Sequence, residues 1–145
     1  METYKFRGKG IDDGEWHYGD LITWCGASQQ EIVDWHTEDF HHFEVYGESV
    51  GQYTNLRDSD FTQIFEGDIV EESRVLPDGR KIETGRIGYI AFLQQEMGFV
   101  IVWSDSDTKL GHRHRGGGYD QDLSLKVIGN ITDNPELVSW WKKQE

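Results

Sequence analysis

The hydrophobic pattern of this chain is that of short strands separated by glycine turns. In TYKFRGKG, Tyr4 and Phe6 alternate with Lys5 and Arg7, the two-residue period of a half-buried strand. IDDGEW then carries the Asp-Gly chemistry of a hairpin turn, and WHYGDLITW is its returning strand. Across SQQEIVDWHTEDFHHFEVY the apolar positions 32, 33, 35, 40, 43, 45 and 46 fit neither the strand nor the helix period, which predicts loop with one strand near Phe43 to Tyr46. Asn55, Asp58, Ser59 and Asp60 form a turn-rich patch, after which Gly67-Asp68 leads into a strand at Ile69-Val70. Pro-Asp-Gly in VLPDGRKIE predicts a turn, and GRIGYIAFLQQEMGFVIVW predicts two strands, Arg86 to Leu93 and Phe99 to Trp103, joined across Gln94 to Gly98. The polar stretch SDSDTKLGHRHRGGGYDQDLS reads as a long exposed loop, and LKVIGNI as a strand. In NPELVSWWKKQE, Asn134 as N-cap, Pro135 at the first helical position, Glu136 in the first turn and Lys142 and Lys143 in the last predict a short C-terminal helix.

Composition narrows the fold class to mainly β. The chain has 145 residues, the size of one domain, with 17 Gly, 2 Pro and 13% aromatics. No apolar run is long enough for a membrane helix, and METYKFRGKG lacks the apolar stretch of a signal peptide, so a cytosolic protein is expected. Cys25 is the single cysteine, which rules out an intramolecular disulfide and a CxxC metal knuckle.

Charge changes the functional picture. The net charge is −13, and from Glu31 to Glu72 twelve carboxylates face one base, Arg57, whereas from Ser73 onward acids and bases balance. Affinity for a nucleic-acid backbone comes mainly from Lys and Arg neutralising phosphates, so direct nucleic-acid binding is disfavoured and a basic protein partner is favoured.

Five motifs stand in one order: KFRGKG, YGDLI at Tyr18 to Ile22, VGQYTNLRD at Val50 to Asp58, IFEGDIV at Ile64 to Val70, and VIGNITDNPEL at Val127 to Leu137. In order and rough spacing they resemble the YopX family of small phage and prophage proteins. The resemblance implies a mainly β, YopX-like single domain over residues 1–145: an N-terminal β-hairpin lobe over 1–49, an SH3-like β-barrel portion over 50–132 and a C-terminal helix over 133–145. It also implies a protein encoded by phage or prophage DNA and working in a bacterial cytoplasm. It implies no catalytic residue set. One departure is TNLRDSDFTQ, where the family commonly has a glycine-containing turn and this chain has acids.

The two Gly-Asp pairs, Gly19-Asp20 and Gly67-Asp68, could supply carboxylates for acid-base work or a cation. The simpler reading is architectural, with glycine allowing a backbone bend and aspartate satisfying nearby amides. In HRHRGGGYD, His112 and His114 could share a metal and Arg113 and Arg115 could hold a phosphate, but no third ligand is adjacent and a strand, not a helix, follows. A solvated loop available for contacts is the plainer reading. His36, His41 and His42 lie among acids without metal-site spacing. No GxSxG, HExxH, P-loop or GxGxxG stands in a strand-to-helix context, and no motif requires a metal or cofactor, so a non-catalytic protein is expected. The residues expected to contact a protein partner, or a second copy, are Glu38, Asp39, Glu44 and Glu48 with His112, Arg113, His114 and Arg115. The alternative is a nucleic-acid-linked role, by direct binding through the 111–119 loop with Tyr119 or by DNA mimicry through the acidic 31–72 segment. A metal-dependent hydrolase built on His112 and His114 is the third reading.

Overall fold

The computed structural model describes residues 4–24, 29–34, 41–104, 106–110 and 121–139, and the chain divides into two compact units, Met1–Tyr53 and Thr54–Glu145. The first unit contains β1 (Phe6–Lys9), β2 (Trp16–Thr23), β3 (Gln30–Val33), β4 (His42–Val45) and the start of β5 (Gly51–Arg57). All its pairings are antiparallel, in the order β4-β3-β2-β1-β5. The predicted first hairpin is present: Phe6 opposes Gly19 and Lys9 opposes Trp16, with Gly14 at φ 67° in the turn. An isolated antiparallel bridge between Gly10 and Val45 ties the end of β1 to β4.

β3 corrects the expectation of loop before Phe43. Ile32 and Val33 are both fully buried. Successive strand residues point to opposite sides, so β3 is covered on both at its Ile32-Val33 end and shows no alternation there.

The second unit continues β5 into β6 (Gln63–Phe65) and adds β7 (Asp68–Val75), β8 (Lys81–Leu93), β9 (Gly98–Val102), β10 (Asp107–Lys109) and β11 (Leu125–Asn130). The last five form an antiparallel sheet in the order β10-β9-β8-β7-β11. Its two faces carry separate cores. Val70, Ile90, Ile101, Trp103 and Leu125 pack with Leu56 and Ile64 of the β5–β6 hairpin, while Ile69 and Tyr89 pack with Val138. Burial on both sides is why Tyr89-Ile90 and Val100-Ile101 are consecutive apolar residues, although Phe92 further along β8 is exposed, and each fully buried aliphatic side chain contributes about 1.5–3 kcal/mol.

Three further expectations change. Among the described residues the five-stranded sheet is open, with β10 and β11 at its ends, so the SH3-like barrel portion is not found as a closed barrel. The sheet hides both faces under other elements instead of curling onto itself. The C-terminal helix is, among the described residues, a 3-10 turn over Pro135–Val138. Asn134 does not cap it, because its Oδ1 accepts the Asn130 amide at 3.2 Å. The long exposed loop contains β10, and its end is buried at Gln121, Asp122 and Ser124. No helix among the described residues is long and apolar enough to cross a membrane.

Candidate functional site: an acidic aromatic sheet face

Strand alternation and register assemble one face of the first unit. Ile22 opposes Glu31, which opposes Glu44, and Asp20 opposes Val33, which opposes His42. Directly opposed residues point the same way, and so do residues two apart. Asp20, Ile22 and Trp24 of β2 and its end therefore share a side with Glu31 of β3 and with His42, Glu44 and Tyr46 of β4 and its end. Trp24 is 49% exposed and Tyr46 43%. The Trp24 indole N–H donates to Glu31 Oε1, which fixes the ring against the carboxylate.

Like charges directly opposite in a sheet are destabilising, yet Glu31 and Glu44 stand opposite each other here. Each has its own compensating donor. His42 Nδ1 lies 3.4 Å from Glu31 Oε2, and Gln29 Nε2 donates to Glu44 Oε1 at 2.7 Å. The arrangement sets the two carboxylates one row in from the exposed Trp24 and Tyr46 rings, a surface suited to a cationic side chain.

Of the residues singled out from the sequence for partner contact, Glu44 lies on this face and Glu48 is exposed in the adjoining 3-10 turn Gly47–Ser49. Glu38, Asp39, His112, Arg113, His114 and Arg115 lie outside the described residues. Sequence reading missed Trp24 and Glu31 as a pair. The signal was the alternation D-L-I-T-W itself, which places Trp24 beside Asp20 and Ile22 once β2 is taken as a strand with one solvent face.

Three other acids of the 31–72 segment are structural. Asp58 is 1% exposed, accepting the amides of Asp60 and Thr62 on Oδ1 and that of Val127 on Oδ2. Asp68 is as deeply buried and accepts the Phe65 amide at 2.7 Å. Glu72 sits beside Thr84 and the Arg86 guanidinium, which in turn covers the Trp103 ring at 4.3 Å.

Two of the described histidines enter ring stacks. His17 lies 3.6 Å and His41 4.5 Å from the Phe43 ring centroid, both near parallel. His17 Nε2 also meets Asp13 Oδ2 at 2.8 Å. The Glu15 amide, with His17 as a lesser contributor, holds the Asp13 carboxyl below its ordinary value. Among the described residues no group of three or more His, Cys, Asp or Glu is placed to hold a metal ion.

Gly47 to Gly51 spells G-x-S-x-G in a strand-turn-strand setting. The Ser49 hydroxyl donates to the Tyr46 carbonyl at 2.6 Å and accepts the Lys9 amide at 2.8 Å. It ties β1 to the turn after β4.

The family described as YopX protein matches residues 5–139 of the chain. No curated protein matches it.

Proposed function

The chain belongs to the YopX family, and from that premise we propose that it is a non-catalytic accessory protein of a phage or prophage, acting in the bacterial cytoplasm as an acidic protein-interaction module. The β2–β3–β4 face receives a basic segment of a protein partner. The observation that carries this reading is the opposed pair Glu31 and Glu44 with exposed Trp24 and Tyr46 in the next row of the same face. A guanidinium or ammonium settling over this pair meets two carboxylates and reaches the neighbouring Trp24 and Tyr46 rings. Trp, Tyr and charge-compensating contacts of this kind dominate interface energetics. The surrounding acidic field steers a basic partner toward the face and repels nucleic acid.

Titration of the protein with a short arginine-rich peptide, followed by tryptophan fluorescence, tests this. Saturable binding should weaken as salt is raised, because exposed charges are screened over roughly 8 Å at physiological ionic strength. The double variant Glu31→Gln, Glu44→Gln should lose about tenfold in affinity, or about 1.4 kcal/mol. Neutralising Asp60 and Glu71 of the second unit should leave affinity nearly unchanged. Equal losses in both variants would reduce the effect to net charge and reject the face as the site. If a partner recovered through this face is a nucleic-acid-binding protein, the DNA-mimicry form of the reading is favoured.

A further inference from the structure

The stretch TNLRDSDFTQ, Thr54 to Gln63, contains an imbalance of hydrogen-bond donors that the acidic face does not use. Arg57 is 7% exposed, yet its side chain makes one hydrogen bond among the described residues, from Nη1 to the Phe61 carbonyl at 3.1 Å. A guanidinium carries five N–H donors and is always charged, so most of its donor capacity remains available to a ligand. Its ring contact is Phe61, with the guanidinium carbon 5.5 Å from the centroid.

The neighbouring carboxylates are not its counter-ions. Asp58 is committed to three backbone amides. Asp122, whose amide donates to the Arg57 carbonyl, turns Oδ1 onto the Ser124 amide and hydroxyl and leaves Oδ2 without a hydrogen-bond partner. A largely buried guanidinium with no ion pair among the described residues is suited to an anion that a ligand supplies.

A second unanswered donor lies beside it. The bond from the Asp58 amide to the Thr62 carbonyl sets the hairpin register, and the next pair inward is Arg57 with Gln63. Leu56 and Ile64, one step further, both enter the core, so Arg57 and Gln63 share the opposite face. Gln63 Nε2 is buried and has no hydrogen-bond partner.

The backbone around this pair is strained. Among the described residues the non-glycine positions with positive φ are Asn55 at 68°, Phe61 at 67° and Met97 at 52°, and the first two bracket Arg57. For a bulky aromatic such as Phe61 the conformation is a genuine outlier, and strain of this kind gathers at ligand clamps. The Phe61 ring is 45% exposed beside the Arg57 guanidinium.

We infer that Arg57, Gln63 and Phe61 form a binding site for an oxyanion, a carboxylate or phosphoryl group carried by a ligand whose remainder rests on the Phe61 ring. The planar guanidinium offers a two-toothed grip that a carboxylate or phosphate oxygen pair matches, and Gln63 Nε2 adds a third donor. Neutral carbonyl ligands would satisfy the hydrogen bonds and leave the charge unanswered. The site lies wholly in the second unit and stands independently of the basic-partner reading.

Calorimetric titration with sodium phosphate, sodium acetate, phenyl phosphate and benzoate, at ionic strength held constant with chloride, tests the inference. The wild-type protein should bind at least one of these saturably, with the phenyl-bearing member of that pair held at least tenfold tighter than its small counterpart. Saturation with phosphates only assigns a phosphoryl ligand, and saturation with carboxylates only assigns a carboxylate. Gln63→Glu places a carboxylate inside the site next to Arg57. It should raise the melting temperature and abolish binding, and it keeps the test decisive if Arg57→Lys fails to fold. No saturable binding by the wild type, or binding undiminished in Gln63→Glu, overturns the inference and leaves the donors as a packing defect.

Discussion

Replacing Asp58 by alanine is expected to lower the unfolding free energy by about 3 kcal/mol, since a buried donor left unsatisfied costs about 1–3 kcal/mol and three amides lose their acceptor together. The carboxylate is 1% exposed and joins the Asp60 and Thr62 amides within its own turn to the Val127 amide of β11, sixty-nine positions away. Water can reach the exposed Asp60 amide more readily than the others, which keeps the total near the lower end of the sum. Against a typical domain stability of about 5–15 kcal/mol this is a large share. Asp58→Asn should fall between, because its oxygen can still serve the turn while its NH2 faces the Val127 donor. Asp60→Ala, at an exposed side chain, should change stability by no more than about 0.5 kcal/mol. Urea denaturation measures all three, and an Asp58→Ala loss below that of Asp60→Ala would show that the turn and β11 are held together by something else.

This anchor explains part of what the sequence concealed. Asp58 was legible as a turn residue, because short-range Asx bonding to residues two and four ahead is a local property. Its third bond is not local, so nothing near it in the chain announces that the turn is fastened to β11. Gln121 to Ser124 was misread for the same reason: polar composition predicts exposure, and burial follows only from the Asp122 amide reaching the Arg57 carbonyl and Gln121 Nε2 reaching the Asp58 carbonyl. The strands β8 and β9 were readable because their apolar runs are self-sufficient signals whichever face is covered. At the C-terminus the capping pattern was present, but Asn134 turned its side chain to Asn130 and left only a 3-10 turn among the described residues.

The candidate face was half legible. Charge density located the acids, but the sequence weighted the stretch from Glu31 to Glu72 evenly. Folding separates it: Asp58, Asp68 and Glu72 are drawn inward as acceptors, and Glu31, Glu44 and Glu48 remain available to solvent. Which carboxylates serve structure depends on whether a backbone amide lies within reach, and that is set by register.

The two Gly-Asp pairs carry the sharpest expectation, because the same dipeptide divides its work in opposite ways. Gly19→Ala should cost about 4 kcal/mol or more, in the range of the most severe single substitutions, and should abolish the native β2–β3 pairing. A Cβ at position 19 would lie 1.9 Å from the Val33 carbonyl oxygen and 2.8 Å from its carbon, and both belong to backbone that cannot rotate away. Asp20 is exposed, and Asp20→Ala should cost well under about 1 kcal/mol. In the second pair the order reverses. Gly67, at φ 92°, donates to the Ile90 carbonyl and accepts from the Ile131 amide, and Gly67→Ala should cost about 1–2 kcal/mol for a left-handed alanine. Asp68→Ala should cost about 1–3 kcal/mol, because it strands the Phe65 amide in a buried site. Thermal and urea denaturation give the ranking, and amide hydrogen exchange places it, with Gly19→Ala expected to strip protection from β2 and β3 first. If Asp20→Ala proved costlier than Gly19→Ala, the first pair would be a carboxylate site after all, and the architectural account of the repeated motif would fail at the position where the geometry is tightest.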